Sequence, residues 1–329
     1  MLRAAEEALW TGSLFPCLSN VREALAHIAV LPASAMPRHE LRVALNIKGV
    51  ALHLAGRYDD AEAPLEEALR AAERAAASGL AHDQLVCVAG ALNDVGANAL
   101  AAGDTQRAAE CIKRADYMLS RAYRPNNAAK GAVRVSLGLL HSANGDNAAA
   151  LSNYTAAKAL LGTPARLPVQ RAWLHAAHAG AMRATLAQGD LAAAQGHSAA
   201  ALAALELPVA ACTRDDAMVR CIAALVSVEA LRGARGEAGR GGSEGGEKLA
   251  GAARALDRAA RALEKIYGSE HTEVNAARAN ASVLSAATAR GELPPVSWAQ
   301  PHWIPAVGIG IALDGYASGV DANGAAAAG

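Results

Sequence analysis

Glycine returns in this sequence in pairs seven residues apart. Gly49 and Gly56, Gly96 and Gly103, and Gly138 and Gly145 each straddle the end of an apolar stretch, and a further turn glycine, Gly189, follows in step. The second members and Gly189 are separated by 47, 42 and 44 residues. A chain that repeats at such a period is built from copies of one supersecondary unit, each unable to bury its apolar face without a neighbour. Other positions keep the same step. Five residues after the turn glycines stand Ala61, Ala108, Ala150 and Ala194; four later come Leu65, Ile112, Tyr154 and Ser198, then Ala68, Ala115, Ala157 and Ala201. Alanine is abundant, so part of that agreement is chance, but composition does not explain the glycine pairs.

The unit is clearest from Leu45 to Glu73. Leu45, Gly49 and Leu52 fall on one face of a first helix, and Ala61, Leu65, Ala68 and Leu69 on one face of a second. Gly56 sits where a left-handed helix end is wanted, and Asp59 or Asp60 can accept the free amides that open the second helix. Small residues at Gly49, Ala61 and Ala68 allow the two backbones to approach closely. The stretch therefore reads as an antiparallel helical hairpin.

This register resembles the tetratricopeptide repeat, in its kinesin-light-chain variety. The likeness is carried by Leu45-Asn46 with Gly49, by the run from Arg57 to Leu65, and by the run from Leu263 to Val274, similar to that family's joint between successive hairpins. Thr272 stands where the joint has proline, and the family's paired asparagines are single here, at Asn46 and Asn93. The resemblance covers roughly residues 41–293. It implies an all-α fold, a right-handed superhelical solenoid of helix-turn-helix repeats, whose first helices line a concave groove.

In that register Asn46, Val50 and His53, then Asn93 and Leu100, then Val135 and Leu139, then Arg183 form the expected peptide-binding groove. Val43, Ala97, Ser142 and Leu186 fall on the same side. An asparagine amide both donates and accepts, which suits it to the backbone of an extended peptide. The same two asparagines could equally bridge neighbouring helices. The pattern lacks the regular Lys and Arg that would favour an acidic guest, so an apolar, uncharged segment is expected there.

Composition fits helix on helix. Hydrophobic residues make up 53% of the 329 but aromatic ones only 3%, which leaves a core of Ala, Leu and Val. Lys plus Arg and Asp plus Glu number 31 each, so no global field draws the chain to nucleic acid or an anionic membrane. Cys17, Cys87, Cys111, Cys212 and Cys221 form no CxxC pair and no disulfide framework, which points to a reducing, cytoplasmic setting. The N-terminus carries two glutamates and no signal-like core, and organelle import stays open. No stretch approaches the ~20 apolar residues needed to span a bilayer, so none is expected to insert in a membrane.

Along the chain, residues 1–40 read as N-terminal capping helices and 41–291 as the repeat domain, interrupted by a flexible glycine-rich insertion at 233–247. Residues 292–329 read as an extended tail with Pro294, Pro295, Trp298 and Trp303, its end disordered. No catalytic or metal-binding motif rises above background. Gly245-Gly246-Glu247-Lys248-Leu249 lacks the hydroxyl of a phosphate loop, Leu313 spoils a dinucleotide fingerprint after Gly308 and Gly310, and His175 with His178 lacks further metal ligands. No enzyme activity, cofactor or metal is expected. The sequence predicts an interaction scaffold that holds a peptide or helix of a protein partner. The alternative is an assembly subunit packed permanently into a multiprotein complex through its convex face and tail.

Overall fold

The computed structural model describes residues 1–10, 13–32, 38–77, 82–122, 128–162, 168–205, 213–238 and 243–290. The expectations for the tail at 292–329 and for Cys212 lie outside these residues. Among the described residues there are thirteen helices and no strand.

The chain divides into two compact units, the first ending at Leu174 and the second beginning at His175. In the first, α1 (Leu2–Trp10) pairs with α2 (Leu14–Ala29), α3 (Arg38–Leu54) with α4 (Tyr58–Ala77), α5 (His82–Ala102) with α6 (Thr105–Ala122) and α7 (Ala128–Ala143) with α8 (Asn147–Leu161). Successive hairpins stack through α2 on α3, α4 on α5 and α6 on α7. The first helices also meet one another, α1 with α3, α3 with α5 and α5 with α7, as a continuous row. The division falls inside α9 (Pro168–Ala187). In the second unit α10 (Leu191–Leu205) packs on α11 (Thr213–Ala238), α11 on α12 (Ser243–Tyr267), and α12 on α13 (Thr272–Arg290).

Both members of each glycine pair have a distinct physical task. The turn glycines adopt positive φ, from 73° at Gly56 to 91° at Gly103, and the next residue's N–H reaches back to close the helix end. Those closing bonds are 2.9 Å from Arg57 to Leu52, from Asp104 to Ala99, from Asp146 to His141 and from Asp190 to Thr185. The earlier glycines mark close approach. A Cβ at Gly49 would lie 2.4 Å from Leu65 Cγ, at Gly96 2.7 Å from Ile112 Cγ1, and at Gly138 2.5 Å from Tyr154 Cε1. Each large side chain of the second helix thus fills the notch left by a glycine of the first.

Three details differ from the sequence reading. Helix α4 opens at Tyr58, so Asp59 and Asp60 lie inside its first turn, where they suit the helix dipole, and Asp60 accepts from Arg57 Nε at 2.7 Å. The side-chain caps belong instead to an Asp directly after the turn glycine. Asp104 accepts from the Arg107 N–H at 3.0 Å, Asp146 from Ala149 at 3.0 Å and Asp190 from Ala193 at 2.9 Å. The insertion at 233–247 is mostly helix, because α11 continues to Ala238 and α12 begins at Ser243. Ala234, Arg235, Glu237 and Ala238 are helix-compatible residues that outweigh the glycines among them.

The third concerns α5. Residues Gln84–Ala102 are long and apolar enough to cross a membrane by length and composition, contrary to the sequence expectation. Within the protein this is the central core helix. Every residue from Val86 to Leu100 is buried.

Candidate peptide-binding face

The row of first helices carries seven of the eight residues expected to line a groove. Asn46, Val50 and His53 lie on α3, Asn93 and Leu100 on α5, and Val135 and Leu139 on α7, so the structure brings them onto three helices that touch in sequence. Arg183 lies on α9 in the second unit and is half-buried. None of the seven is more than 9% exposed. These side chains are withdrawn from solvent, not displayed on an open surface.

Withdrawal raises the stakes for the polar ones, since a buried amide or carboxylate without a partner costs more than a hydrogen bond returns. Asn46 Nδ2 donates to Asp94 Oδ2 at 3.2 Å and so joins α3 to α5 across 48 positions of sequence. The first groove asparagine is therefore a bridge between hairpins. Asn98 Nδ2 donates to the Tyr58 carbonyl at 3.0 Å, which turns Asn98 Oδ1 toward His53 Nδ1 at 3.1 Å. His53 then donates through Nδ1, and its ring tilts against Tyr58 with centroids 5.3 Å apart. Among the described residues of this face, Asn46 Oδ1 and Ser136 Oγ are buried polar atoms without a hydrogen bond.

Outside this face the hairpins are laced by charge. Arg107 of α6 reaches Glu62 and Glu66 of α4, and its guanidinium is held above its ordinary value first by the hydrogen bond to Glu62, against the opposing effect of burial. Arg114 meets Glu73 at 2.9 Å in the next turns of the same two helices. Among the described residues no group of three His, Cys, Asp or Glu side chains is placed to hold a metal.

No protein-family model matches the sequence, and no curated protein matches it. Solved structures do. The chain is similar to NprR, described in complex with its cognate peptide NprX, at 11% identity and TM-score 0.56, over 88% of this chain and 72% of that one. It also matches BtubC (BKLC) from P. vanneervenii at 20% identity and TM-score 0.46, over 61% of this chain and 76% of that one. A third match is the TPR2AB domain of yeast Sti1, described with a pHSP90 partner, at 13% identity and TM-score 0.30, over 85% and 96%. The fold is a tetratricopeptide-like helical repeat.

Within this tetratricopeptide-like fold, sequence reasoning missed Asp94, Asn98 and Ser136, which are as buried as the residues it named. Their signal was present. Asn93, Asp94 and Asn98 are polar side chains clustered midway along an otherwise apolar helix, and polar groups in such a place need partners.

Proposed function

We propose that this chain is a protein-interaction scaffold that takes an extended peptide or helical segment of a protein partner on the inner face formed by α3, α5 and α7. The supporting observation is the polar file along those helices: Asn46, His53, Asn93, Asp94, Asn98 and Ser136 are all buried, and Asn46 Oδ1 and Ser136 Oγ have capacity left for a guest's backbone N–H groups. The structural similarity to NprR, a protein described with a bound peptide, favours the same reading. We assign the repeats to the kinesin-light-chain variety on the joint from Leu263 to Val274, where Gly268 adopts a φ of 84° between α12 and α13. A reducing compartment such as the cytoplasm suits Cys17 and Cys111, both free thiols.

Because the inner face is shielded, a guest reaches it only when the face opens, and apparent affinity falls by the fraction of molecules that are open. Association should therefore be slower than the roughly 10⁵–10⁷ M⁻¹s⁻¹ usual for preformed surfaces. The test is affinity capture with the full chain, followed by titration of a peptide from the captured protein against the wild type and the Asn46→Ala and Asn93→Ala variants. Weakened binding with retained helicity supports the inner face; unchanged affinity for both variants sinks it.

A further inference from the structure

The second unit holds a groove of about 620 Å³ whose described lining residues come from α10, α11 and α12. Its walls repeat at helical spacing. Arg220, Ala223, Ala224, Ser227 and Leu231 form one face of α11, and Lys248, Gly251, Ala252, Ala255 and Arg258 one face of α12, with Gln195 and Leu202 of α10 opposite. Among the described lining residues Arg220, Lys248 and Arg258 are cations and none is a carboxylate.

The first unit shows what closes the corresponding gap. There Glu62 and Glu66 of α4 take Arg107 of α6, and Glu73 takes Arg114, so the two second helices are tied across the intervening first helix. Counting six and ten residues from the turn glycine, the places of Glu62 and Glu66 fall in α10 on Gln195 and Ala199. Helix α10 carries no Asp, Glu, Lys or Arg at all. Of the acids on α11 and α12, Asp257 pairs with Arg261 and Glu229 with Arg232. Among the described residues neither Arg220 nor Arg258 makes an ion pair, and both are exposed.

We propose that this groove docks an acidic amphipathic helix of a partner protein. The floor of Ala and Gly lets a guest helix come close and receive its larger apolar side chains. From Arg220 to Leu231 and from Lys248 to Arg258 the walls run roughly 15–17 Å at 1.5 Å per residue, the length of about three helical turns. The antiparallel order of α11 and α12 brings Arg258 near the level of Arg220 and puts Lys248 at the far end. A guest therefore needs carboxylates at the end of a short apolar stripe that meets Arg220 and Arg258, supplying from outside the charge that α4 supplies within the first unit. This surface is separate from the inner face of α3, α5 and α7, and the two stand or fall independently.

The probe is a fluorescein-labelled sixteen-residue helical peptide with Leu at i, i+3 and i+7 and Glu flanking that stripe, titrated by anisotropy against the full chain. Saturable binding that falls as salt rises is expected. Arg220→Glu with Arg258→Glu should weaken it roughly tenfold. Ser227→Trp, which fills the groove from an exposed position, should abolish it; Arg254→Glu, on α12 but outside the groove, and Asn46→Ala with Asn93→Ala should not change it. A peptide with Lys in place of Glu tests the charge requirement on unmodified protein and so needs no variant to fold. Absence of saturable binding, equal binding of the Lys peptide, or affinity unmoved by the double charge reversal overturns the proposal.

Discussion

At Gly49 two opposing effects meet, and their sizes decide the outcome. Alanine in place of glycine within a helix gains about 1 kcal/mol from reduced chain entropy. The new methyl would sit 2.4 Å from Leu65 Cγ, and Leu65 is 1% exposed with no room to retreat. Overpacking of that kind costs about 1–3 kcal/mol, so Gly49→Ala should lower the urea midpoint. The double variant with Leu65→Ala should be less destabilised than the sum of its two parts, which identifies the contact as the cause. Gly103 differs. A Cβ there would meet nothing within 4 Å, and its φ of 91° makes the cost of alanine conformational, about 1–2 kcal/mol, with no second-site rescue.

Between helices, the ion pairs are weaker actors than the notches. Arg107 joins Glu62 and Glu66, but its side chain is 32% exposed, so Arg107→Ala should cost under about 1 kcal/mol and the loss should shrink in high salt. Thermal melts at low and high ionic strength check this. What the sequence made legible at this scale follows from distance along the chain. Gly49 and Leu65 are sixteen positions apart within one hairpin, and Gly96 with Ile112 and Gly138 with Tyr154 repeat that interval, so periodicity was enough to find them. The pairing of Asn46 with Asp94 depends on how one hairpin slides against the next, which no local pattern encodes. The same limit hid the burial of the expected groove residues. The continuation of α11 to Ala238 was missed for another reason: glycine content was weighed above the helix-forming residues interleaved with it.

Over the whole chain, stacked hairpins hold together mainly through their neighbours, so unfolding need not be a single event. Urea titration followed by both far-UV circular dichroism and hydrogen exchange should show more than one cooperative step. Gly49→Ala should shift the step that releases the amides of α3 and α4 and leave that of α11 and α12 in place. One transition common to all amides would contradict this. The covering of α5 on every side has a consequence before folding is complete. While residues 84–102 emerge during synthesis, the helices that later surround them on the C-terminal side do not yet exist, and the segment presents to the cell the hydropathy of a bilayer span. Asp94 stands next to the midpoint of that segment, where an acid costs about 2.5–3.5 kcal/mol of insertion. The carboxylate that ties two hairpins together in the folded chain thus also makes the same segment a poorer guest for lipid.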